Sequence, residues 1–359
     1  MNAQFHMKII FIFLLLTGIA SASATGNKPV VKQETEIQKK YSVLLYANNT
    51  IYRMNPDGTA RTKIAEKAGI LDLFPLSDER ILVHSSQYEG ESLEICDPVN
   101  NIWSLVEFTE GKMPLIAVSE NGIKVAYEIK HFPISINGDG IWLYDTTGKK
   151  IHIKISNTAL TIESFTIFSG KLYTLYHELD LVSDEAGLFL EAIWLEGGSG
   201  KPVKKRVAEG LKMLLPDGFS LGLAYPPAGR RIELKPIPDG KAMSADIPKC
   251  DIILHEGGYS GGKDPVLIFD RKSVDFSGEG FTETLAWKIN TGKIDTLVFK
   301  DLANTGGFRW ASDGWLYFTA SYKDPSGELS LPMLFRANNP GGAIELVSVL
   351  GGLFTLQYE

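Results

Sequence analysis

The chain carries only two cysteines in 359 residues, Cys96 and Cys250. Two cannot build a disulfide framework, so stability has to come from a packed core. In the repeat assignment below they fall in blades well apart around a ring. A disulfide needs Cα atoms within about 7 Å, so two unpaired, partly buried thiols are expected. An excess of positive charge is also missing, the formal net charge being -7. Neither nucleic acid nor anionic lipid is then an expected partner, because both favour a basic surface. Helical periodicity is scarce: the best stretch, Asp184 to Trp194, is interrupted by Gly187 and reads better as a strand. Past the N-terminal segment no apolar run approaches the ~20 residues of a membrane span. No zinc-protease helix, P-loop, EF-hand loop or dinucleotide fingerprint occurs, and neither a cofactor nor a metal is expected.

The N-terminus reads as an export signal. Lys8 supplies the positive start, Ile9 to Leu16 the apolar run, and Ala20-Ser21-Ala22 or Ala22-Ser23-Ala24 the small-residue cleavage site. The expected organisation is a signal peptide over 1–24, a flexible polar leader over 25–40 and one repeat domain over 41–359. The mature protein is expected to be periplasmic or secreted, monomeric and not inserted in a membrane.

A strand–turn–strand event returns at intervals of roughly 42 to 52 residues, in or near the range of four-stranded propeller blades. It is written Asn55-Pro56-Asp57-Gly58 first, then Asp97-Pro98-Val99-Asn100, Asp145-Thr146-Thr147-Gly148 and Asn290-Thr291-Gly292, among others. A second turn text precedes the alternating strands: Ser77-Asp78-Glu79, Ser119-Glu120-Asn121-Gly122, Phe168-Ser169-Gly170, Pro216-Asp217-Gly218 and Ser312-Asp313-Gly314. Strands such as Leu172 to Tyr176 and Leu316 to Thr319 alternate branched and aromatic residues at period two, as half-buried strands do. The fold class is all-β, a seven-bladed β-propeller with four strands, a to d, per blade. Blade six, around Asp251 to Phe299, is the least clearly written. The first repeat has no strand a of its own, while Leu353 to Gln357 is a strand in excess at the other end. That strand is expected to complete the first blade and close the ring, which an open sheet edge would otherwise leave exposed.

The run Ile51-Tyr52-Arg53-Met54-Asn55-Pro56-Asp57-Gly58-Thr59 resembles the TolB-like, WD40-like (PD40) propeller repeat, with Pro216-Asp217-Gly218 and Ala311-Ser312-Asp313-Gly314 as partial matches. The resemblance implies a propeller from about residue 41 onward. Similar repeats occur in oligopeptidase propellers and some carbohydrate lyases, so it bears on fold more than on activity.

Gly218-Phe219-Ser220-Leu221-Gly222 fits the G-x-S-x-G pattern, but that nucleophile needs a strand, a sharp turn and a helix, whereas here the serine opens a strand. His84, His131 and His177 fall late in strand b of three successive blades. Their register against the apolar alternation differs, so they are not expected to converge on a cation. Long b–c loops are expected at Gln87 to Ser92, Phe132 to Gly140, Leu179 to Gly187, Arg271 to Gly280 and Tyr322 to Leu331. Long loops on a rigid scaffold are where binding usually sits. Candidate binding residues on that face are Tyr88, Phe132, Asp139, Asp275, Phe276, Tyr322 and Asp324, with His131 and His177 beside them. The expected function is non-catalytic binding of an envelope or secreted protein or peptide. The alternative is a propeller-fold lyase or hydrolase acting on a carbohydrate through loop carboxylates.

Overall fold

The computed structural model describes residues 40–358 apart from 132–139, 154–158, 181–184, 196–201, 209, 227–228, 238–239, 249, 275–279, 339 and 341. Its strands follow the turn text of the sequence. The first blade has β1 (Tyr41–Ala47), β2 (Thr50–Met54) and β3 (Thr62–Glu66). The second has β4 (Ile70–Pro75), β5 (Ile81–Gln87), β6 (Gly90–Asp97) and β7 (Ile102–Thr109). The third has β8 (Ile116–Val118), β9 (Lys124–Ile129), β10 (Gly140–Asp145) and β11 (Lys150–Ile153). The fourth has β12 (Ala159–Phe168), β13 (Lys171–Asp180), β14 (Glu185–Trp194) and β15 (Val203–Arg206). The fifth has β16 (Leu211–Leu214), β17 (Phe219–Ala224), β18 (Arg230–Pro236) and β19 (Met243–Ile247). The sixth has β20 (Asp251–Ser260), β21 (Val266–Val274), β22 (Gly280–Lys288) and β23 (Lys293–Thr296). The seventh has β24 (Leu302–Trp310), β25 (Trp315–Tyr322), β26 (Met333–Asn338) and β27 (Ile344–Ser348), and β28 (Leu353–Tyr358) ends the chain. Every sheet is four-stranded, and the first runs β28-β1-β2-β3. The protein is a seven-bladed β-propeller whose C-terminal strand supplies strand a of the first blade.

The turns are built by local chemistry. Asp57, Asp97 and Asp145 each accept hydrogen bonds from backbone N–H groups two or three residues on, at Thr59, Val99 with Asn100, and Thr147. This Asx geometry is why aspartate recurs there. Asn48 and Asn49 both have positive φ, 50° and 61°, as a tight two-residue hairpin between β1 and β2 requires. The recurring a–b turn places glycine at positive φ at Gly122, Gly218 and Gly314. The second blade has Glu79 at φ 65° instead. Arg53 braces it, donating to the Glu79 carboxylate at 3.0 Å and to its carbonyl at 3.3 Å.

Apolar residues on alternating strand positions meet between neighbouring blades, so the core is a ring of inter-blade layers. At the closing seam Tyr41, Val43 and Leu45 of β1 and Phe354 and Leu356 of β28 pack with Tyr317, Leu334 and Val347 of the seventh blade. Tyr41 donates its hydroxyl to Asp313 at 2.9 Å, and the Tyr317 hydroxyl donates to the Pro56 carbonyl at 2.8 Å. The turn most legible in the sequence is therefore also a seam element. Gly58 has φ +84°, and a Cβ there would stand 1.9 Å from the Val347 carbonyl oxygen. Gly148, at φ +104°, has nothing within 4 Å of such a Cβ. Gly148→Ala is expected to cost about 1–2 kcal/mol for the left-handed conformation alone. Gly58→Ala must in addition displace the neighbouring strand. Urea unfolding of the two variants checks this, with a clearly larger loss expected for Gly58→Ala.

Cys96 and Cys250 are both free, Cys96 buried and Cys250 half-buried. Burial, with Asp97 and Glu94 nearby, pushes the Cys96 thiol up to about 11, so it stays protonated and inert. No helix among the described residues is long and apolar enough to cross a membrane.

Candidate binding face and channel

In a propeller the b–c turns and d–a connections open on one face, and the a–b and c–d turns on the other. On the first face two of the b–c connections are shorter than expected. Between β5 and β6 only Tyr88 and Glu89 remain. The polar text from Gln87 to Ser92 pairs in register instead, Gln87 with Gly90, Ser86 with Glu91 and Ser85 with Ser92. The Ser85 and Ser92 hydroxyls lie 2.8 Å apart, which gives buried polar residues in a strand their partners. Tyr88 stands fully exposed at the tip of that turn. Leu179 to Gly187 is mostly strand as well, since β13 runs to Asp180 and β14 starts at Glu185. Phe132, Asp139, Asp275 and Phe276 lie outside the described residues.

The connection from Tyr322 to Met333 is long, as expected, and internally braced. The Asp324 carboxylate accepts from the Ser326 hydroxyl at 2.6 Å and the Glu328 N–H at 2.9 Å, and the Gly327 N–H closes onto the Asp324 carbonyl. The first of these bonds, with backbone N–H groups behind it, holds the exposed Asp324 carboxyl below its ordinary range. The Ser330 N–H donates to the Tyr322 carbonyl, and the Tyr322 N–H to the Ser330 hydroxyl at 2.9 Å. Asp324 thus shapes the loop it belongs to. The loop holds Tyr322, Leu329 and Leu331 in the open, Leu331 84 % exposed. It is also pressed against the link from β27 to β28, where a Cβ at Gly351 would meet the Pro332 carbonyl oxygen at 2.1 Å. That link carries another exposed apolar residue, Val349.

The three histidines take separate partners. His84 Nε2 is 3.0 Å from Glu91, His131 Nε2 is 3.1 Å from the Thr109 hydroxyl, and His177 Nε2 is 3.4 Å from Glu163. Among the described residues no group of three or more His, Cys, Asp or Glu is placed to hold a metal ion. The pairing of Thr109 with His131 looks like a nucleophile and base, but Thr109 is buried and its oxygen takes the Gly111 N–H at 3.0 Å. It braces a turn. Ser220 is likewise buried within β17 and donates to the Lys235 carbonyl at 3.1 Å, with a strand rather than a helix after it.

A polar cluster at the channel was not legible in the sequence. Glu91, 5 % exposed, accepts from the Met113 N–H at 2.6 Å, faces His84 and meets Lys112 at 3.1 Å through its other oxygen. Burial opposes its ionisation, but the Met113 N–H, Lys112 and His84 outweigh burial and hold the carboxyl below its ordinary range. His84 also borders a cavity of about 220 Å³ in the channel, with Asp72, Glu163 and Lys212 around it. Glu91 ties the second blade to the segment leading into the third, and Glu163 faces His177 within the fourth blade. His84 and Glu91 stand on paired strands of one blade, whereas Lys112 and Met113 come from the segment leading into the next blade and reach Glu91 only through the packing of neighbouring blades.

No family model and no curated protein matches the chain. Solved structures do. Tricorn protease superposes with a TM-score of 0.55 at 14% identity over 89% of this chain, which spans 35% of the protease. The β-propeller domain of the Trilobed protease from Pyrococcus furiosus gives 0.55 at 12% identity, over 88% of this chain and 97% of that domain. Oligogalacturonate lyase gives 0.52 at 14% identity, over 80% and 82%. TolB from Acinetobacter baumannii superposes at only 0.42, with 12% identity over 89% and 65%. At these identities the likeness extends to the propeller fold.

Proposed function

We propose that the protein is an exported, non-catalytic propeller that binds a protein or peptide on the b–c and d–a face, centred on the Tyr322–Met333 loop. The observation that supports this is an apolar patch of Tyr322, Leu329, Leu331 and Val349 held out on two segments that brace each other. A water-facing loop gains nothing for the fold by exposing Leu331. A braced loop, however, loses little conformational entropy on docking, which favours affinity. Tyr322 adds an aromatic anchor of the kind that dominates interfaces. The one hydroxyl–histidine contact described, Thr109 with His131, braces a turn, and Glu91, Glu163 and Asp324 are each engaged by a partner, which favours binding over hydrolysis or lyase chemistry at these groups.

The test uses peptides selected from a random display library on the wild-type protein. Leu331→Asp and Tyr322→Ala are each expected to weaken the selected peptides tenfold or more. Thr147→Ala, in an exposed c–d turn on the opposite face, should leave affinity unchanged. Equal affinity across all three variants, or loss only with Thr147→Ala, contradicts the assignment.

A further inference from the structure

One inter-blade layer is built differently from the others. In six blades strand b sends apolar side chains back toward the preceding blade. They are Val43 and Leu45, Ile81 and Val83, Val125 and Tyr127, Leu172, Leu267 and Phe269, and Leu316 and Phe318. The fifth blade contributes none from its strand b to the layer it shares with the fourth. That layer is made by Tyr173, Leu175, Leu188 and Leu190 against Leu214 and Ile237. Alternation along β17 turns Leu221 and Leu223 toward the sixth blade, leaving Ser220, Gly222 and Ala224 facing the fourth. These three small residues, two of them from the serine motif, stand where bulky ones stand elsewhere.

The result is a cleft of about 650 Å³ between the fourth and fifth blades. Its size falls within the usual range of ligand sites, roughly 300–1,000 Å³. Leu190, Val207, Pro236 and Ile237 give it apolar walls, and Tyr225 lies at its exposed edge. Among the described residues, the charged side chains on the cleft side are Lys205 and Lys235 against Glu233. Arg206, paired with Phe189, turns its guanidinium to the other face of the fourth blade beside Gly187. Glu209 and Asp239, beside the lining residues Ala208, Gly210, Ile237 and Gly240, lie outside the described residues. The cation excess is local, because the chain as a whole is acidic.

From this combination we infer that the cleft binds an anionic amphiphile, with its acidic head at Lys205 and Lys235 and its apolar body between the blades. Apolar walls favour a hydrocarbon or ring body at about 25 cal/mol per Å² removed from water. Two ammonium groups offer a carboxylate, phosphate or sulfate head charge-assisted hydrogen bonds. A cationic or neutral amphiphile of the same size gains only the first contribution. The site is separate from the Tyr322–Met333 loop and does not depend on what docks there.

The probe is 11-(dansylamino)undecanoate, whose emission rises in an apolar site. Saturable one-to-one binding is expected, displaced by dodecanoate and not by dodecyltrimethylammonium. Ala224→Leu and Ser220→Val fill the cleft, and are expected to weaken the probe at least tenfold while melting no lower than wild type. Lys205→Met and Lys235→Met should weaken it about fivefold. Because Lys205 is exposed, its variant decides the matter even where a filling variant fails to fold. Absence of saturable binding, equal binding by all four variants, or equal displacement by the cationic amphiphile would overturn the inference.

Discussion

Deletion of Gly352–Glu359 is expected to lower the thermal midpoint by roughly 10 °C, a loss of about 5 kcal/mol for a domain of this size. The strand removed buries Phe354 and Leu356 at the seam, each contributing about 1.5–3 kcal/mol. It pairs with β1 in continuous register from Tyr41↔Tyr358 to Tyr46↔Leu353. Its Gln357 accepts from Arg53 at 3.1 Å, tying the closing strand to the same arginine that braces the second blade's a–b turn. Without β28, β1 becomes an unpaired edge and the seventh blade loses an apolar neighbour, so aggregation should rise as well. A truncated protein with an unchanged midpoint would mean that the ring does not depend on this strand.

Glu91→Ala is expected to destabilise the protein by about 3 kcal/mol. Removing one member of a buried charged cluster typically costs 3–5 kcal/mol. The low end applies because Lys112 is mostly exposed and can return to water. The loss should depend on pH. The folded Glu91 carboxyl titrates below its ordinary range. Its stabilisation is therefore complete above the unfolded value of about 4.3 and disappears as pH falls through the folded value. Urea midpoints of wild type and Glu91→Gln should differ most at pH 7 and converge under acid. A gap that holds or widens at low pH would show that Glu91 is not ionised in the folded protein.

Seven blades and the closing strand could be read from the chain because both are written in local chemistry, in Asx turns, positive-φ glycines and alternation. The sixth blade was faint for a local reason. Its strand a carries a register shift between Leu254 and Tyr259, where Gly257 and Gly258 interrupt the apolar alternation. The Gln87 to Ser92 segment was misread because polar residues suggest a loop, while here Ser85 and Ser92 satisfy each other across a tight hairpin. Tyr322 and its loop were found, whereas Leu329, Leu331 and Val349 were not. Apolar residues within a loop give no sequence sign of whether they fold under it or stand out. The Glu91 cluster depends on contacts between blades and has no linear signature. The cleft beside β17 was hidden for the opposite reason: Ser220 and Gly222 are informative only through the bulk they lack, which shows once the other blades are aligned in space.

The proposed binding face is tested most directly by amide hydrogen exchange on the full-length protein, with and without a library-selected peptide. Slowed exchange is predicted across 322–333 and 348–352, with the c–d turns at 97–101 and 145–149 unchanged. Protection confined to those c–d turns, or no protection in either loop segment at saturating peptide, would contradict it.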